Sequence, residues 1–269
     1  MADTVVSSVA SLQTTVAARG DRRRIALLSG GTTLVLLVVW ELVARNSFDP
    51  ATLAPPTTIL RTIADDPDFF RPHIWATVWP AFKGWLVGNL LAVLAGVAVV
   101  LVPRIEQAVL QLAILTYAVP TLAIGPILVV TFDGDAPKSI LAGLAVFFTT
   151  VVGTVLGLRS ADRTSLDLIR AYGGGRWTIM RKARVPAALP SFMNALKISA
   201  PAAILGSILG DFFGSDKGLG TALVSSAFGN NGGLKWAVAV VMTALGGVGY
   251  LLIGVLGRAV TPWSAEGKH

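Results

Sequence analysis

Apolar residues in this chain gather in long blocks rather than recurring at a helical or strand period. The blocks cover 25–44, 74–102, 108–130, 140–158, 192–209 and 236–256. A helix rising about 1.5 Å per residue needs about 20 residues to cross a hydrocarbon layer of about 30 Å. Each block therefore predicts a membrane span. Core helices of a soluble protein would show a polar stripe along one face, and these blocks are apolar nearly all round. The expected fold is an all-α, polytopic membrane helical bundle of about six transmembrane helices, spanning 25–258.

Composition agrees with that expectation. Hydrophobic residues make up 54% of the 269 and charged residues 14%, against about 25% charged in an ordinary soluble domain. Mean hydropathy is +0.70. A disordered chain, a DNA-binding module and a typical cytosolic enzyme are excluded. Residues 1–24 are mostly small and polar and are expected to form a disordered cytoplasmic lead. They are too many, with no A-x-A-like site after the first block, to open a secretory signal peptide. The tail is 259–269. Cysteine is absent, so disulfides, thiolate zinc sites and thiol nucleophiles are excluded.

The net charge of +7 sorts by loop. With both termini inside, 14 of the 22 Lys and Arg residues fall in cytoplasmic segments and 6 in outer ones, Lys138 among the latter. Lys83 and Lys197 fall within spans. Basic inner loops set the orientation of multi-span proteins, so both termini are placed in the cytoplasm. The same sorting accounts for a pI near 10.1 without nucleic acid.

Catalytic signatures are missing. There is no P-loop, no H-E-x-x-H and no G-x-S-x-G. The two histidines are His73, expected as an interfacial ring, and His269 at the frayed end. No metal site is expected. The pairs Gly84/Gly88 and Gly153/Gly157 and the run Gly206/Gly210/Gly214 put small residues on one helix face, a packing signal. Pro80, Pro120, Pro126 and Pro201 are expected to interrupt their spans. Pro120 and Pro126 bracket a broken helix that could wall a solute path.

The inner loop 159–190 carries seven basic residues together with Leu166, Leu168, Ile169, Tyr172, Trp177, Ile179 and Met180. Gly173, Gly174 and Gly175 end the helix expected from Ser165 and permit a sharp turn. A second helix opens at Arg176 and is expected to close before Pro186. The product is an amphipathic helix–turn–helix knob suited to headgroups or to a groove in another protein.

That loop resembles the signature of permease subunits of type I ATP-binding-cassette importers, E-A-A, three residues, Gly, nine residues, I-x-L-P. Aligned on Gly173, Asp167, Leu168 and Ile169 take the E-A-A places, and Ala183, Val185 and Pro186 take I, L and P. The resemblance runs from about residue 55 to 220. Leu53 to Pro56 with Thr58, Thr77 through Gly88, Val119-Pro120 with Ala123 and Pro126, and Asp211 with Gly218-Leu219-Gly220 are similar to the nitrate/sulfonate/taurine/thiamine-precursor branch.

The resemblance implies a type I importer permease fold in a bacterial plasma membrane. The chain binds no cofactor of its own, ATP and Mg being held by partner ATPase subunits. A second permease, with a slight lean to a paralogue, and an extracytoplasmic binding protein complete the assembly. The knob would couple to the ATPase through Asp167, Leu168, Ile169, Arg170, Ala171, Tyr172, Gly173, Gly174, Gly175, Arg176, Trp177 and Pro186. Polar and aromatic residues on apolar spans are candidates for the path: Tyr117, Pro120, Thr121, Phe147, Phe148 and Asn194. Asp211 is expected either to close an outer gate or to cap the loop after it. The cargo class is a small polar solute such as a sulfonate, an inorganic anion or a nitrogen heterocycle. Two rivals stand beside this reading, an ion-coupled secondary transporter and a structural membrane subunit of another complex.

Overall fold

The computed structural model describes residues 28–46, 48–49, 52–229 and 232–263. The lead expected over 1–24, the start of the first block and His269 lie outside the described residues. The described residues are mostly helical, with no strand among them. Five helices are long and apolar enough to cross a membrane, or six if a bent pair counts as one span. They are α1 (Leu28–Asn46), α3 (Pro67–Leu101), the bent pair α4 (Glu106–Ala118) and α5 (Thr121–Thr131), α6 (Ala136–Arg159), the rod Arg176–Asp211, and α11 (Gly232–Val260). Shorter helices are α2 (Pro56–Asp65), α7 (Arg163–Ala171) and α10 (Leu219–Phe228). The rod consists of α8 (Arg176–Ile179), a π-helical turn (Met180–Arg184) and α9 (Val185–Asp211).

Helix α6 lies at the centre, between α3 and α9. Small residues set that packing. A Cβ added at Gly84 would lie 2.2 Å from the Ser139 carbonyl oxygen, and one at Gly206 would lie 2.7 Å from the Ala142 Cα. Gly153 faces Ala195 and Gly157 faces Ser191 in the same way. The glycine pairs thus serve contacts within one subunit, where close backbone approach replaces the missing hydrophobic drive between helices in lipid. Gly214 is a correction to the expected run, since α9 ends at Asp211.

Polar side chains fasten the same three helices at mid-depth. Thr150 Oγ1 on α6 donates to Asn89 Oδ1 on α3 (2.5 Å), and Trp85 Nε1 donates to Ser199 Oγ on α9 (2.9 Å). Outward faces are apolar, as lipid requires: Leu86, Leu90 and Leu94 repeat every four residues along α3 and are exposed. A second apolar cluster joins Ile59 of α2, Phe70 of α3, Leu219 of α10 and Val238 of α11. Trp40 of α1 meets Trp236 there edge-on, at 5.9 Å between ring centroids.

The prolines behave differently from expectation. Pro80, Pro126 and Pro201 sit inside continuous helices. Only Pro120 breaks one: α4 and α5 meet at 91°, with Val119 and Pro120 extended between them. A residue preceding proline is pushed out of the helical region. The expected third span is therefore an elbow.

Candidate functional site

The inner loop forms the expected knob by purely local means. Asp162 caps α7, accepting the Ser165 N–H at 3.0 Å, so the helix begins at Arg163, two residues earlier than expected. It ends in a Schellman turn: the Gly174 N–H donates to the Ile169 carbonyl (2.8 Å) and the Gly173 N–H to that of Arg170 (2.9 Å). Gly173 has φ +76°, a conformation that other residues adopt only under strain. Asp167 pairs with Arg170 at 2.7 Å. Leu168, Tyr172 and Trp177 are exposed although apolar or aromatic, at 57%, 85% and 69%. Single exposed hydrophobes are ordinary, but three on one small projection mark a surface made for contact.

The second helix of the knob does not close before Pro186. It runs through the π turn into α9 as one 36-residue rod. Proline cannot donate to the carbonyl four residues back, and its ring collides with it. The wider turn immediately before it, in which the Val185 N–H reaches the Met180 carbonyl, relieves that collision. Ile179 and Met180 are buried, anchoring the rod's foot against the bundle. At the C-terminal end of α6, Arg159 grips Glu106 of α4 with two parallel bonds of 2.8 and 2.7 Å.

The end of the rod opposite the knob contains a buried ion pair. Asp211 was expected at a gate or loop cap, and Lys138 in an outer loop; both are instead almost wholly enclosed, their side chains 0% and 5% exposed. Lys138 Nζ lies 2.9 Å from Asp211 Oδ1 and donates to the carbonyls of Ala76 and Lys217. Thr77 Oγ1 and the Gly220 N–H donate to Asp211 Oδ2 at 2.6 and 3.2 Å. The Leu219 N–H donates to Thr77 Oγ1 (2.8 Å). Gly218 has φ +154°, and a Cβ there would lie 2.3 Å from the Asp211 carboxyl. His73 Nδ1 lies 2.9 Å from the Gly218 carbonyl oxygen, so this ring is tied to the loop and not free at the interface. The cluster joins α3, α6, α9 and α10.

The path candidates separate. Phe147 lines a cavity of about 760 Å³ between α3, α4 and α6, shared with Lys83, Thr116, Asp135 and Ser139. Tyr117 is 74% exposed and its ring lies 5.3 Å from that of Phe148. Pro120 and Thr121 form the elbow next to them. Asn194 lies mid-rod on α9, and Asp211 belongs to the ion-pair cluster; neither lines the cavity. Lys83 was visible in the sequence only as a charge within a span. Its ammonium lies 5.2 Å from the centre of the Trp79 ring. Lys138 reads only as an outer-loop charge in the sequence, for its 2.9 Å partner is 73 residues away.

Several apolar spans, an elbow and a basic knob at the foot of a long rod describe a polytopic membrane protein with a built contact surface. Residues 88–265 match the family described as binding-protein-dependent transport system inner membrane component, and the chain belongs to it. The formylaminopyrimidine transport permease protein ThiX of Halalkalibacterium halodurans is 30% identical over 86% of this chain and 93% of its own length. The taurine transport system permease protein TauC of Escherichia coli is 26% identical, over 89% and 90%. The fold is similar to a chain of the MetNI methionine ABC transporter in an inward-facing conformation. That match has TM-score 0.64 and 19% identity, and covers 73% of this chain and 98% of the other.

The chain is thus a multi-pass inner-membrane permease subunit of an ATP-binding-cassette importer and not an enzyme. Such a permease works with separate ATPase subunits, a second permease and a binding protein. Neither the secondary transporter nor the unrelated structural subunit is favoured by these likenesses.

Proposed function

We propose that the knob formed by 167–177 is the coupling element, seated in a groove of an ATPase subunit that holds ATP and Mg on the cytoplasmic side. Both chain termini lie on that side, as the basic loops require. The observation that supports this reading is the continuity of Trp177 with Asp211 through one rod. A displacement of the knob by the ATPase is then passed to the outer ion-pair cluster as rigid-body motion rather than absorbed in a loop. The exposed Leu168, Tyr172 and Trp177 supply the contact.

Solute passes along the surface carrying Tyr117, Pro120, Thr121, Phe147 and Phe148, with Asn194 further along the rod. The cargo is a small polar compound, in keeping with relatives named for formylaminopyrimidine and taurine. The second permease is favoured as a paralogue, because Leu168 and Ile169 replace the small pair of the family pattern. Lipid surrounds the assembly.

The test is Gly173→Val, scored by solute uptake and by co-purification of the ATPase. No atom lies within 4 Å of a Cβ placed at Gly173, so the only penalty is the backbone one, about 1–2 kcal/mol for a positive φ. The expected result is a membrane-inserted chain with uptake lost or cut at least tenfold. Normal uptake with the ATPase bound would remove the knob from the coupling route.

A further inference from the structure

Behind the knob lies a cavity of about 310 Å³ that the coupling role leaves unused. Its polar lining is Arg170, Arg176 and Arg184, and no acidic residue lines it. Arg170 spends one NH group on Asp167, at 2.7 Å. Among the described residues Arg176 and Arg184 have no carboxylate partner, and the Arg184 Nε is buried without any hydrogen-bond partner. Three like charges share this lining, and the buried, unpartnered donor is the costliest part of it, since an unmade hydrogen bond on a charged group is penalised more than on a neutral one. An anion in the space supplies both the missing acceptor and the counter-charge. Guanidinium forks match phosphate oxygens in geometry as well as charge.

The rest of the lining identifies the anion's carrier. Val100, Leu101, Pro103, Ile179 and Met180 form the apolar wall of the same cavity. A soluble phosphate or a protein carboxylate would leave that wall bare. A glycerophospholipid uses both halves, its phosphodiester on the arginines and its glycerol and first methylenes on the wall. Depth agrees. The 27 residues of α9 between this site and the outer ion pair rise about 40 Å, which matches the distance between headgroup layers of about 40–45 Å. We infer that this cavity is a binding site for the headgroup of an anionic phospholipid of the inner leaflet, wedged between the knob and the end of α3. Basic pockets between spans on the cytoplasmic side are suited to such headgroups.

The test is native mass spectrometry of the importer complex in neutral detergent, titrated with phosphatidylglycerol or phosphatidylcholine. The wild type is expected to retain phosphatidylglycerol about tenfold better or more, with the preference lost in R176Q/R184Q. R181Q/K182Q removes the same charge from exposed neighbours and should keep it; R176K/R184K should keep part. Should R184Q fail to assemble, R176Q alone is read, with at least a threefold loss expected (about half of a tenfold preference on the free-energy scale). Retention by R176Q/R184Q, or an equal loss in R181Q/K182Q, overturns the site. Displacement of the lipid by excess inorganic phosphate makes it a free-anion site. Unchanged lipid preference with a lost ATPase makes it a protein contact. Either result rejects the lipid.

Discussion

Replacing Asp211 by alanine leaves Lys138 only the half-exposed Asp135 carboxylate, 3.7 Å away, as counter-charge. The lysine would keep the Ala76 and Lys217 carbonyls but lose its counter-charge at 2.9 Å, in a site where its side chain is 5% exposed. Thr77 Oγ1 and the Gly220 N–H lose their acceptor in the same step. Removing one member of a buried pair costs about 3–5 kcal/mol, because the other charge stays desolvated. Replacing both by neutral groups is far milder. D211A should therefore lower the apparent melting temperature on the order of 10 °C, with about 2–4 °C per kcal/mol for chains of this size. K138M/D211N, in which the amide still accepts from Thr77 and Gly220, should recover most of that loss. The assay is heating of detergent-solubilised, fluorescently tagged protein, followed by size-exclusion chromatography of the surviving fraction. If the double variant falls as far as the sum of K138M and D211N, the two side chains are not coupled and the reasoning fails.

Other outcomes follow from the same packing. Gly206→Ala puts a methyl 2.7 Å from backbone atoms of α6 that cannot rotate away, so it should cost about 1–3 kcal/mol. Gly30→Ala on α1, with open space around it, should cost nothing in the same melting assay. Asn89→Leu removes the acceptor of Thr150 at mid-membrane, where measured polar contacts are modest, and should cost about 0.5–2 kcal/mol. Trp85→Phe loses the bond to Ser199 together with part of the ring packed against Ala142, Val146 and Ala203, and should cost about 1–3 kcal/mol by thermal shift.

Span number and the knob were legible because both are local. Length alone marks a stretch such as 140–158 as membrane-crossing, and a Schellman turn depends on Gly173 and its immediate neighbours. What escaped was set by distant partners. Lys138 reads as an outer-loop charge beside Asp133 and Asp135 until Asp211 is brought to it by the packing of α6 on α9. Pro80 and Pro201 read as interruptions, yet their helices run on, since neighbouring helices can satisfy or shield the freed carbonyls. The elbow at Pro120 and the intact helix around Pro126 have the same sequence cue and opposite outcomes. The path candidates were chosen by residue type, so Phe147, which lines the cavity, and Asn194, which does not, were indistinguishable in advance.

The π turn at Met180–Arg184 takes up one residue more than an α-helical turn would, closing a bond from the Val185 N–H to the Met180 carbonyl. Each residue of α-helix advances the azimuth by about 100°. Inserted into a plain α-helix, one extra residue would swing Trp177 about a quarter-turn around the axis. Gathered into a single wide turn, it leaves the foot pointing nearly as before while the shaft above keeps its seat against α6: the bulge is slack taken up in the thread.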